Sequence, residues 1–176
     1  MESLALYERS AASSYMKNLV RRLFGRFYWV TYSSALSYKG LWKNGLFEGQ
    51  GELKYSNGTK FSGTFSNGLK HGKGILVSSS GYRYEGDWVK GKKTGFASIR
   101  YKNGDGFEGE VKDGLRHGTG QLHDALSKLS FKGSWHKDII RGDVNISSAH
   151  WCFEGPMPNS DGLTRGKMRY SDSSIY

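Results

Sequence analysis

In residues 84–104, YEGDWVKGKKTGFASIRYKNG, aromatic and charged positions alternate, so Tyr84, Gly86 and Trp88 fall on one side of an extended strand and Glu85 and Asp87 on the other. KGKK and KNG carry turn chemistry, and the segment therefore predicts strand, turn, strand, turn with one aromatic and one charged face. A single hairpin of this kind has too few aliphatic residues to bury its own rings. The pattern recurs. Units begin at Tyr38, Phe61, Tyr84, Phe107, Phe131 and Phe153, at spacings of 23, 23, 23, 24 and 22 residues, each on the plan aromatic-x-Gly-x-aromatic-x-x-Gly-x-x-x-Gly-x-Gly. The plan holds closest in the first two units and loosens in the last two. Asp138 stands where a turn glycine is expected, Met157 replaces the second aromatic, and two extra residues precede Gly162.

A fixed period of this length is the mark of a repeat array in which neighbouring units build the core together. The glycine between two same-face aromatics leaves bare backbone against which a neighbouring repeat's ring is expected to lie flat. Gly45, Gly68, Gly91 and Gly114 follow Asn, Lys or Asp, which predicts turns with positive φ. Tyr55 and Tyr101 stand six residues before the next unit's first aromatic, and Tyr32 does the same before Tyr38. FYWVTY, residues 27–32, therefore reads as the second half of an earlier, incomplete hairpin, giving about thirteen strands in all. Residues 14–27 alone have helical period: Met16, Leu19, Val20, Leu23, Phe24 and Phe27 form an apolar stripe opposite Lys17, Arg21 and Arg22. That basic amphipathic helix is expected to pack on the sheet, with attachment to a membrane surface and an organelle transit peptide as the alternatives.

The repeat resembles the MORN (membrane occupation and recognition nexus) motif, whose consensus is close to YxGxWxxGxxxGxGxxxxxxG. The resemblance implies a mainly β fold, an elongated twisted antiparallel sheet of consecutive hairpins with an aromatic-lined concave face, preceded here by one N-terminal amphipathic α-helix. It divides the chain into an N-terminal segment at 1–26, a half-hairpin strand and connection at 27–37, and six repeats over 38–176. The matching aromatics, with the two second-strand tyrosines, would line a groove for a helical or extended peptide: Tyr38, Trp42, Tyr55, Phe61, Phe65, Tyr84, Trp88, Tyr101, Phe107, Phe131, Trp135 and Phe153. Gly40, Gly63, Gly86, Gly109, Gly133 and Gly155 stand between the aromatic positions.

Charge adds a second surface. The net charge is +10, of which +3 lies in residues 1–37 and +7 in the repeats. Lys70, Lys73, Lys90, Lys92, Lys93, Lys112, Arg116, Lys137 and Arg141 collect in the segments that join the two strands of each hairpin, which predicts one basic edge. The edge residues up to Arg116, with Lys17, Arg21, Arg22 and Arg26 of the helix, are the candidates for contact with anionic lipid such as phosphoinositides. A solvated edge that only confers solubility is the plainer alternative. Nucleic acid is not expected as a partner, since no RNA- or DNA-reading signature accompanies the rings.

Candidate chemistry is sparse. His71 and His117 stand two periods apart, about four strands, which is too far to share a metal. Glu85 with Asp87 and Glu108 with Glu110 recur with the repeat on the outward face and read as exposed strand charges rather than a glycosidase dyad. Cys152 is the single cysteine, with His150 two residues away but no orienting carboxylate, so neither a catalytic thiol nor an internal disulfide is expected. GKG and GDG lack the strand-to-helix setting of a phosphate loop.

No catalytic, metal or other cofactor site is therefore expected. The function expected is a non-enzymatic protein-interaction scaffold. A peripheral membrane module and a regulatory fragment of a larger enzyme are the alternatives, and a homodimer through the open sheet edge is a further one. The composition suits a cytoplasmic chain, peripheral on membranes or cytoskeleton, with the transit-peptide reading left open.

Overall fold

The computed structural model describes residues 35–157 and 165–171. The helix expected at 14–27, the half-hairpin at 27–32 and the basic residues Lys17, Arg21, Arg22 and Arg26 lie outside the described residues. Within them the chain forms twelve β-strands and no helix: β1 Ala35–Lys43, β2 Leu46–Tyr55, β3 Lys60–Ser66, β4 Leu69–Val77, β5 Arg83–Val89, β6 Lys92–Arg100, β7 Gly106–Lys112, β8 Leu115–His123, β9 Ser130–His136, β10 Ile139–Ser147, β11 Trp151–Pro156 and β12 Lys167–Tyr170. Strand order follows chain order.

The two-residue turns explain that order. Asn44-Gly45, Asn67-Gly68, Lys90-Gly91 and Asp113-Gly114 all have positive φ at both residues, 50° and 74° in the first. This is the turn whose twist matches paired strands, and glycine at its second position removes the steric cost there. Lys137-Asp138 makes the same turn without glycine, at φ 49° and 69°. Each turn also leans on the hairpin before it: the amide of Gly68 donates to the carbonyl of Phe47, Gly91 to Lys70, Gly114 to Lys93 and Asp138 to Arg116, all at 2.9–3.0 Å.

Two compact units divide the chain. The first comprises residues up to Ser80 together with Asp87–Lys92. In it β1 pairs with β2, β2 with β3 and β3 with β4, with Gly40 opposite Gly51 and Gly63 opposite Gly74. Its buried side chains are Tyr38, Phe47, Leu53, Phe61, Phe65 and Trp88. The second comprises Gly81–Gly86 and the residues from Lys93 onward. There β6 to β12 pair in succession, with Gly109 opposite Gly120 and Gly120 opposite Gly133. Tyr84, Ala97, Ile99, Phe107, Val111, Trp135 and Val144 are buried in it.

Candidate functional site

Glycine pairs set the position of the rings, though not in the way the spacing predicts. The ring that covers a glycine pair belongs to the same repeat, and a neighbouring repeat's ring meets the pair only at its edge, as Trp88 does at Gly74. A Cβ on Gly74 would stand 2.5 Å from the ring of Phe61, and one on Gly63 would stand 2.9 Å from it. Tyr38 covers Gly40 and Gly51, Phe107 covers Gly109 and Gly120, and Phe153 covers Gly155 and Gly166 in the same manner. The physical reason is register: the glycine two residues on and the glycine opposite it form one bare patch beside the ring that precedes them.

The neighbouring repeat contributes its second aromatic, edge-on. Phe65 meets Tyr38 at 5.3 Å and 89°, Trp88 meets Phe61 at 5.2 Å and 82°, and Trp135 meets Phe107 at 5.5 Å and 83°. The indole N–H of Trp135 donates to the carbonyl of Gly120 at 3.0 Å, and that of Trp88 to Gly74 at 3.4 Å. A positive ring edge against a ring face, with the polar N–H satisfied, is favourable packing for a buried indole. Val111 holds the second-aromatic position in the fourth repeat and is buried as well.

This packing divides the expected groove residues. Phe61, Tyr84 and Phe107 have no exposed surface, and Tyr38, Phe65, Trp88 and Trp135 are buried beside them. They are core. Tyr55, Tyr101, Phe131 and Phe153 are half-buried, and Trp42 is 44% exposed while lying edge-on to Tyr38 and Phe47. Of the expected groove residues, only this second set offers ring surface to another molecule.

The basic residues divide too. Lys70, Lys93 and Arg116 each stand two residues beyond a turn glycine, and their charged ends lie over the rings instead of along the outer edge. The ammonium of Lys70 is 5.2 Å from the ring of Tyr55, 5.3 Å from Phe61 and 5.1 Å from Trp88. In the second unit Lys93 lies over Tyr82 and Tyr84 and donates to the Tyr82 hydroxyl at 2.8 Å. Burial pushes the Tyr82 phenol up to about 12, with Tyr101 adding to the effect. The guanidinium of Arg116 lies 4.4 Å from Trp135. Its backbone N–H and Nε–H both donate to Asp138 Oδ1, at 2.9 and 3.1 Å, and its Nη2 donates to the Asp138 carbonyl. Of the other expected lipid contacts, Lys73 pairs with Asp87 at 2.8 Å, whereas Lys90, Lys92 and Lys112 are exposed.

The sequence reading passes over the position two residues beyond the turn as a ring-face position. Phe47 occupies it in the first repeat, stacked on Tyr38 at 3.8 Å, and Ile140 in the fifth, against Gly133. Alternation counted back from Gly51 or Gly74 lands on it. It also passes over His136, whose ring lies 4.9 Å from that of His117.

Three of the four paired carboxylates are spent on local contacts, Glu85 with Arg83 at 2.8 Å, Asp87 with Lys73, and Glu110 with the N–H and hydroxyl of Thr119, while Glu108 is exposed. Among the described residues no group of three histidine, cysteine or acidic side chains could hold a metal ion.

The sequence model of the MORN repeat matches residues 38–60, 61–81, 84–106 and 107–125 in succession. No curated protein matches the chain. Beyond residue 125 the β9–β10 hairpin keeps a ring at each consensus position, Phe131 and Trp135, and the same turn geometry. The four consecutive matches and the hairpin architecture agree, and the chain belongs to the MORN repeat family.

Proposed function

We propose that this chain is a non-enzymatic interaction module whose ring face takes a helical or extended peptide bearing a carboxylate. MORN-repeat proteins are in general interaction modules of this kind, acting on protein or membrane. The observation that carries the peptide reading is the ammonium of Lys70. It lies over three rings, is half-buried, and has no ion-pair partner among the described residues. A cation held there by ring faces keeps its N–H groups for an incoming acceptor, and desolvation strengthens the pair it makes. Trp42 and Tyr55 supply accessible aromatic surface in the same unit, the residue types that anchor peptide interfaces.

Fluorescent peptides of one length test this: an acidic amphipathic sequence, its neutral amide counterpart and its charge-reversed form. The acidic peptide should bind best, with affinity lowered by Lys70→Met and Trp42→Ala. Equal binding of all three peptides would dismiss the reading.

A second reading rests on the exposed lysines at the hairpin turns of the second unit, Lys112 and Lys137. In the second unit the Asp138 amide bonds to Arg116, which sets successive turns side by side and gathers their charge for an anionic surface. Vesicle sedimentation distinguishes it, since salt should release a surface-bound protein.

A further inference from the structure

A cluster on the side of the second unit away from the rings is not used by the peptide reading. Gly118 pairs with Trp135, so the next residues outward, His117 and His136, face each other across β8 and β9. Their ring centroids are 4.9 Å apart with planes at 49°. Val111, Arg116, Trp135 and Ile140 turn toward the ring face, so alternation sends their neighbours Lys112, His117, His136 and Arg141 to the opposite side. Lys137 follows in the turn. Among the described residues Lys112, Lys137 and Arg141 form no ion pair, and all three are exposed.

The acids on these elements offset the cluster only in part. Glu110 on β7 accepts the Thr119 N–H and hydroxyl, keeps its negative charge, and lies near enough to His117 to interact with it, one carboxylate against Lys112, Lys137 and Arg141. Asp138 is held by Arg116. Asp113 lies in the β7–β8 turn, and Asp143 on β10 is exposed past the register shift. The imidazole of His136 is held below its ordinary value, first by lost hydration and then by His117, Lys137, Arg141 and Lys112. Protonating it therefore opposes folding, and stability declines as pH falls through the ordinary histidine value of 6.5.

A metal cation would meet the same repulsion from the lysines and arginine. A multiply charged anion would relieve it. Imidazolium, ammonium and guanidinium groups all donate hydrogen bonds to phosphate oxygens, and an anion between the rings favours their charged forms. We propose that Lys112, His117, His136, Lys137 and Arg141 form a binding site for a phosphate group, and that binding draws protons onto the two imidazoles. The phosphate is carried by a lipid headgroup or by a small soluble compound. For the lipid source the site rests on the membrane reading above; for the soluble source it stands independently.

The test uses the full chain and two probes. Sulfate keeps its double charge through the histidine range, where phosphate itself titrates, so a pH effect seen with sulfate belongs to the protein. Ring-proton titration by NMR should place the His117 and His136 midpoints higher in sulfate than in chloride of equal ionic strength, and Lys137→Ser with Arg141→Ser should abolish the difference. Binding of inositol phosphate should tighten by about tenfold per pH unit for each proton taken up as pH falls through the histidine range. The double variant His117→Gln, His136→Gln should lose more of that dependence than the ligand's own titration accounts for. Midpoints indifferent to sulfate would overturn the proposal. Phosphoinositide vesicles are the second arm. Vesicle binding that is salt-sensitive but unchanged in the double histidine variant would overturn this site and leave the membrane reading standing. Proton-linked binding of soluble inositol phosphate without vesicle binding would establish the site and remove the membrane reading.

Discussion

Trp88 lies edge-on to Phe61 at 5.2 Å while its indole N–H points to the carbonyl of Gly74, the same glycine that the Phe61 ring covers. One glycine thus serves two repeats. It gives the earlier repeat's ring a flat seat and the later repeat's ring a hydrogen-bond acceptor. Trp88 is 3% exposed, in contrast to Trp42 at the same repeat position.

That contrast separates stability from binding. Trp88→Ala should cost about 3–5 kcal/mol, the range for deleting a buried aromatic. Trp42→Ala removes a ring that keeps nearly half its surface in water and should cost about 1–2 kcal/mol by area. Urea titrations followed by circular dichroism check both. Equal costs would mean that the two rings share one environment.

Gly63 should tolerate alanine poorly. A methyl there would meet the Gly74 Cα and the Lys73 carbonyl, both at 2.6 Å, and backbone cannot give way as a side-chain tip can. A loss of about 2 kcal/mol or more is expected. Gly91→Ala meets no atom within 4 Å but inherits φ 82°, a strain of about 1 kcal/mol. If Gly91→Ala proves the worse of the two, ring seating is not what the consensus glycine is for.

Much of this is legible in the sequence alone. A period of 23 with Asn-Gly, Lys-Gly and Asp-Gly dipeptides specifies hairpins, turns and a ring face, because backbone sterics and alternation leave few alternatives. The role of Lys70 was legible in spacing but hidden by residue type: a lysine reads as solvent-facing, whereas its aliphatic stem can lie along a ring face and leave only the ammonium at the surface. The His117–His136 contact was hidden for another reason. It depends on the register between β8 and β9, across two repeats, and no local pattern contains that.

Asp138 offers a case where two effects oppose. Replacing it by glycine relieves φ 69° and restores the consensus turn, a gain of about 1 kcal/mol or less. The change also removes the Arg116 contact to Oδ1, which charge assistance would place at about 1.5–3 kcal/mol if buried; the Asp138 side chain is 42% exposed, so solvent screening brings it to about 1. The two nearly cancel, and Asp138→Gly should change stability by less than about 0.5 kcal/mol. Asp138→Ala, which loses the carboxylate and keeps the strain, should be clearly destabilising in the same urea titration.

Acid should unfold the protein partly through Glu110 and Asp124. Donors from Thr119 hold Glu110 below its ordinary 4.5, and donors from Ser127 and Leu126 hold Asp124 below 3.8. A carboxylate lowered by folding lends stability that is complete above the ordinary value and disappears as pH falls through the folded one. Glu110→Gln with Asp124→Ala should therefore flatten the acid limb of a stability–pH profile while lowering stability at neutral pH. A profile parallel to wild type would show that these hydrogen bonds do not form in solution.

The division of the ring face into buried core and an accessible cation is tested most directly by calorimetric titration of an acidic peptide into wild type and Lys70→Met, with urea midpoints measured on both. Methionine keeps most of the lysine stem over Tyr55, Phe61 and Trp88, so the two proteins should unfold at similar urea concentrations. The variant should bind the peptide about tenfold or more weakly, the loss expected for removing a charge-assisted hydrogen bond of about 1.5–3 kcal/mol. Equal affinity at equal stability would contradict the account, and would mean that the ammonium over those three rings serves the fold alone.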